Sequence, residues 1–92
     1  MTLKINMAPT RSDNLVTFTL DRELVPPGTG MSFANASAGE GHPLARALFR
    51  IRGIKSLWFL GNDIQVTKDP RSRWSSIIAQ ILETIRAHES IL

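Results

Sequence analysis

The chain has no cysteine in its 92 residues, and that absence excludes more chemistry than any residue present suggests. Without a thiol there is no disulfide framework, no thiolate nucleophile and no Cys-ligated zinc or iron-sulfur site. Histidine is nearly as scarce. His42 and His88 are its two representatives, and they stand too far apart for the pairing of two His one turn apart with a nearby Glu that side-chain metal sites use. That leaves weak iron capture by carboxylates as the most the chain offers a metal on its own. The Gly-x-Ser-x-Gly elbow is missing, as is any recognisable Ser, His and Asp arrangement, so hydrolase chemistry has no footing. No Gly-Lys-Ser/Thr sequence exists to make a P-loop. Long apolar runs are absent too: the longest, Leu57 to Leu60, is far short of the roughly 20 residues a membrane span needs. No basic segment leads into an apolar one at the start, so the expectation is a cytoplasmic protein with no membrane association.

What is present fits one domain over residues 1–92, a size that buries about 60 to 65% of the surface its unfolded chain exposes. Leu3, Ile5 and Met7 alternate with polar residues. After a polar break at Ala8 to Asn14, Val16, Phe18 and Leu20 do the same, which is the period of half-buried strands. Pro26, Pro27, Gly28 and Gly30 interrupt the ladder, Met31 to Phe33 reads as a short third strand, and Ala34 to Gly41 reads as a flexible segment. Pro43 suits a first helical turn, and Leu44, Ala45, Leu48 and Ile51 then recur on one face until Gly53. Ile54 to Leu60, a Gly61-Asn62 turn, and the alternating Ile64 and Val66 predict a hairpin. A last helix follows the start signals Asp69-Pro70 and Ser72, with Trp74, Ile77, Ile78, Ile81, Leu82 and Ile85 on one stripe. The predicted fold is α+β: a two-layer sandwich, with a mainly antiparallel sheet of four to five strands and two helices packed on one face.

Charge is unevenly spread. Net charge is +3, and seven basic residues fall between Arg46 and Arg73: Arg46, Arg50, Arg52, Lys55, Lys68, Arg71 and Arg73. Only Asp63 and Asp69 oppose them in that stretch. Arginine forks grip carboxylate and phosphate oxygens bidentately, so the cluster is a candidate site for an acidic or phosphorylated partner. Arg46 and Arg50 are one turn apart and repel each other by a few tenths of a kcal/mol, a cost that a bound anion would remove. The bland reading is a solvated helix face whose last-turn arginines complement the helix dipole. Neighbouring strand residues point to opposite faces, so one of Trp58 and Phe59 is exposed. With Trp58 on the open face near Lys55, the two make an aromatic-basic surface, unless the loop of residues 26–41 covers it. Gly39-Glu40-Gly41 reads as a plain hinge in preference to an anion cradle, and both histidines read as exposed residues at helix ends.

With the elements placed, the chain resembles the N-terminal domain of the Nfu/NifU-type iron-sulfur scaffold proteins over almost its whole length. The stretch Pro9-Thr10-Arg11-Ser12-Asp13-Asn14-Leu15-Val16-Thr17-Phe18-Thr19-Leu20 lies without a gap on the family's opening pattern. Pro43-Leu44-Ala45, Leu48-Phe49, Ile51 and Gly53-Ile54-Lys55-Ser56-Leu57-Trp58-Phe59 match the family's helix-to-strand pattern, and Ile64 to Lys68 with Trp74 match its closing strand and Trp-led helix. Two prolines of the family opening are Arg11 and Asp13 here. The Cys-x-x-Cys pair that holds the cluster in full-length scaffolds has no counterpart, so that activity is not carried over. What the resemblance implies is the fold and a place near iron-sulfur assembly or delivery, as a non-enzymatic accessory with no cofactor of its own and iron or a cluster reaching it only through a partner. The expected partner is a protein, an assembly component or client, bound by a monomer. The competing readings are a nucleic-acid-binding module and an acidic- or phospho-peptide module unrelated to iron-sulfur chemistry.

Overall fold

Period-two alternation becomes strand, and period 3.6 becomes helix, in the computed structural model, which describes residues 4–25 and 28–88. The strands are β1 (Ile5–Pro9), β2 (Leu15–Leu20), β3 (Gly30–Phe33), β4 (Ile54–Leu60) and β5 (Asp63–Lys68). They form one antiparallel sheet in the order β1-β2-β5-β4-β3. The helices are α1 (Ala36–Gly39), α2 (Pro43–Phe49) and α3 (Trp74–Ala87). The α+β class expected from the sequence holds, with one addition: the Ala34 to Gly41 segment contains α1, capped by the Asn35 side chain, which accepts from the Ala38 N–H at 2.9 Å. Leu3, expected in the first strand, lies outside the described residues.

Register decides which side chains meet. Phe18 lies opposite Ile64, Ile64 opposite Phe59, and Phe59 opposite Met31, so one row crosses the sheet on the face that the helices cover. Phe18, Phe59 and Ile64 are fully buried there. The apolar stripe of α3 supplies the other side of the core: Ile77, Ile81 and Ile85 are buried, with Trp74, Ile78 and Leu82 packed around them. Each fully buried side chain of this size contributes about 1.5 to 3 kcal/mol. Met7 and Met31, on the edge strands, share the same face but stay 49% and 38% exposed, because the helical layer is narrower than the sheet.

Strand β4 carries one irregularity. Ile54 pairs with Lys68 and Ser56 with Thr67, which leaves Lys55 as an extra residue in a β-bulge. Ile54 and Leu57 are three positions apart and would face opposite ways in a regular strand, yet both belong to the core side. The bulge makes that parity change and leaves Lys55 exposed. Phe59 then points inward, fully buried, and Trp58 outward.

Candidate functional site

Helix α2 is built to present arginines. Pro43 occupies its first turn, Leu44, Ala45 and Leu48 are buried, and the remaining face carries Arg46 and, at the C-cap, Arg50. These two border a cleft with Pro43, Ala47 and His88, and a second with Ala36, Glu40 and Phe49. Past the helix end, Arg52 lines a cleft of about 360 Å³ with Arg71, Ser72, Arg73, Ser76, Ile77 and Gln80. Gln80 and Arg50 also line a trough of about 440 Å³ between the helices, walled by Ala47 and Ile51 on one side and Glu83, Thr84 and Ala87 on the other. Shared lining residues thus connect these hollows into one seam along α2 and α3, which run antiparallel: His88, at the end of α3, meets the start of α2.

The seam is net positive, its arginines outnumbering Glu40 and Glu83. Among the described residues, Arg46, Arg50, Arg52 and Arg73 have no ion-pair partner. Arg71 does, with Asp69 at 3.2 Å. The Asp69 carboxyl is held below its usual range by the Arg71 side-chain hydrogen bond first and the Arg71 N–H second, with Lys55 adding a weaker attraction. Asp63 is on the far face, accepting from the Thr19 hydroxyl at 2.7 Å. Helix α3 begins without a side-chain cap and has no acidic residue in its first turn, so its unpaired N–H groups add positive potential beside Arg73. Ser72 does not cap the helix, contrary to the start signal in the sequence; its side chain sits against Gly53.

Two residues of the expected surface belong elsewhere. Lys68 is only 6% exposed. As the third core-face position of β5 after Ile64 and Val66, it turns inward. Its ammonium donates to Asn14 Oδ1 at 3.0 Å and to the Asp69 carbonyl at 3.3 Å, with the Trp74 ring at 5.8 Å. It is a structural cation and unavailable to a partner. Trp58 is exposed, as anticipated for one member of the pair, but on the opposite face of the sheet from the arginines. There it lines a groove of about 430 Å³ with Leu15, Ser32, Ser56, Gln65 and Thr67. Residues 30–41 form the edge strand and α1, and leave this groove open.

Both histidines are more engaged than sequence reasoning had them. His42 caps α2 by accepting from the Ala45 N–H at 3.4 Å, and its ring packs edge-on against Phe33 and Phe59 at 5.7 and 5.1 Å. Burial lowers its pKa from 6.5. His88 is half-buried, with Nδ1 2.9 Å from the Thr84 carbonyl. The Gly39 to Gly41 stretch is no open hinge, since Gly39 is buried and a Cβ there would stand 2.8 Å from the Phe49 ring. Sequence reasoning also missed Ala47, Gln80 and Thr84, small or polar residues that acquire meaning only once two helices lie side by side. Among the described residues, no group of three or more His, Cys, Asp or Glu could hold a metal ion. No helix is long and apolar enough to cross a membrane among these residues.

The topology and this wording of α2, β4 and β5 have known counterparts. The family model described as scaffold protein Nfu/NifU N terminal matches residues 5–90. The chain belongs to that family. The NFU1 iron-sulfur cluster scaffold homolog, mitochondrial, of Drosophila ananassae is 29% identical over 63 residues, covering 68% of this chain and 22% of that protein. The homolog of the same name in Drosophila willistoni is 26% identical over 84 residues, covering 91% of this chain and 29% of its own length. The chain thus spans under a third of these curated relatives. The solution structure of a NifU-like protein from Saccharomyces cerevisiae superposes with a TM-score of 0.84 at 20% identity, covering 98% of this chain and 81% of that one. The crystal structure of protein SAV1430 from Staphylococcus aureus superposes with a TM-score of 0.76 at 17% identity, covering 89% and 98% respectively. At these identities the likeness to solved structures speaks for the Nfu N-terminal fold.

Proposed function

We propose that this Nfu N-terminal domain is a non-enzymatic accessory of iron-sulfur cluster assembly or delivery, which docks a protein partner through the basic seam of its helical layer. The observation that carries the proposal is the set of four arginines, Arg46, Arg50, Arg52 and Arg73, that border connected hollows and form no ion pair among the described residues, although Glu40 and Glu83 also border these hollows. Membership of the scaffold family supports the iron-sulfur setting. The cysteine-free sequence supplies no thiolate for a cluster, so in this proposal the cluster stays on the partner and the domain acts by positioning it. Arg71 lines the cleft of Arg52, and Asp69, which pairs with Arg71 and attracts Lys55, offsets part of the positive field there. A monomer in the cytoplasm is part of the same reading; the named relatives are mitochondrial proteins, and fractionation of the source cells decides the compartment.

The test is crosslinking capture from native extract with the purified domain, followed by identification of what is bound. Recovery of an iron-sulfur assembly component or cluster-receiving client is the expected result. Recovery of nucleic acid alone, or of proteins with no iron-sulfur connection, contradicts the proposal.

A further inference from the structure

The seam has a pattern more specific than positive charge. Arg46 stands at one end with Arg50 next to it on the wall of the trough, and Arg52 and Arg73 stand at the other beside the uncapped start of α3. Between them the trough has an apolar strip, where buried Ile51 and half-buried Ala47 face Ala87 and the half-buried Thr84, with Arg50, Gln80 and His88 also on its walls. One acidic residue, the exposed Glu83, also stands on that middle wall. It would repel a carboxylate placed there; at the Arg46 end Glu40 borders the hollow too, where Arg46 and Arg50 outnumber it. From Arg73 to His88, α3 rises about 22 Å, the length of roughly 14 helical residues. A trough between two antiparallel helices receives a third helix by burying that helix's apolar side, the helix-in-groove mode of recognition.

We infer that the seam between α2 and α3 is the docking groove for an amphipathic helix of about 14 residues that carries carboxylates in its first and last turns and small or aliphatic side chains between. This deepens, and rests on, the proposal that the basic face binds a protein partner. It adds the occupant and its charge pattern. The carboxylates of one end pair with Arg46 and Arg50, those of the other with Arg52 and Arg73, and the aliphatic middle covers Ala47, Ile51 and Thr84. Glu83 acts as the specificity element, holding acidic residues out of the centre.

The experiment is an amide-shift titration of the whole chain with a synthetic 14-residue peptide bearing two glutamates at each end and, between them, leucine at i, i+3, i+4 and i+7 with alanine and glutamine at the other positions. Three control peptides are titrated beside it: all four glutamates gathered at one end, lysine in place of glutamate, and serine in place of leucine. The expected result is saturable shifts at Ala47, Ile51, Gln80 and Thr84. Affinity should fall at least tenfold for each control. It should fall similarly for Arg46→Glu with Arg50→Glu, and for Arg52→Glu with Arg73→Glu, while Glu83→Gln improves binding of a peptide with a central glutamate. Because surface reversals can shift the fold, Arg→Gln versions are titrated too and should lose about half as many decades of affinity.

Equal binding of the serine control, shifts confined to one arginine pair, or tighter binding of a single-stranded oligonucleotide of equal charge each overturns the inference. Failure of the peptide alongside a natural partner whose capture still depends on Arg46 and Arg50 overturns the helix-in-groove assignment and leaves the broader docking proposal standing. Failure of both removes the two together.

Discussion

At the scale of single residues, His42 joins capping, packing and titration in one side chain. Its Nδ1 accepts the Ala45 N–H, which requires a neutral ring with the proton on Nε2. Its ring packs edge-to-face with Phe33 and Phe59, and burial depresses its pKa below 6.5. The sign follows from which state binds the proton more readily. As pH falls through 6.5 the unfolded chain takes up the proton first, so the stabilisation from a neutral His42 is complete above 6.5 and is lost between 6.5 and the lower folded value. The urea midpoint should therefore drop between pH 7.5 and pH 5.5, and His42→Asn, which keeps a cap acceptor, should flatten that drop while lowering stability at pH 7.5. A wild-type midpoint unchanged over this range would contradict the account of the cap. His42 was legible as a cap from Pro43 alone, since a proline at the first helical position makes the preceding residue the N-cap; its aromatic contacts were not, because Phe33 and Phe59 come from distant strands. Lys68 was legible in the same way from its parity with Ile64 and Val66, and its lysine chemistry concealed that position.

At the scale of elements, the joint between α2 and β4 turns on Gly53. Its φ of +102° is a conformation that side chains rarely adopt, and a Cβ there would stand 2.6 Å from Ser72 Oγ and 3.0 Å from Ile77 Cδ1. Gly53→Ala should cost roughly 1 to 3 kcal/mol from the backbone conformation alone, with a further loss as α3 is pushed outward. Ser72→Gly in the same chain should recover part of it, read as a shift of the urea midpoint. A Gly53→Ala protein as stable as wild type would show the joint to be soft. The hairpin around Gly61-Asn62 and the stripe of α3 were plain in the sequence because each depends on local turn chemistry or on periodicity over three or more turns. Helix α1 was hidden, since four residues of Ala, Ser and Gly carry no apolar period. So was the bulge at Lys55, whose trace in the sequence is the odd spacing between Ile54 and Leu57.

At the scale of the whole molecule, a two-layer fold gives this chain two unlike faces. The helical layer carries the arginine seam. The bare side of the sheet carries Trp58 at 43% exposure among Ser32, Gln65 and Thr67. Sequence reading grouped the basic residues by their spacing, but clustering along a chain says nothing about which layer each one joins; Lys68 left the group for that reason, while Trp58 lies on the open face of the sheet, away from the helical layer. Long-range attraction by exposed charge weakens with salt, so docking through the seam should lose affinity between 50 and 300 mM salt, measured by titration calorimetry with a captured partner. The most direct measurement is capture of that partner by three forms of the chain with matched thermal stability: wild type, Arg46→Glu with Arg50→Glu, and Trp58→Ala. Capture lost in the arginine variant and retained in Trp58→Ala is the expected result; capture retained in the arginine variant, or lost only in Trp58→Ala, would place the partner on the sheet and contradict docking through the helices.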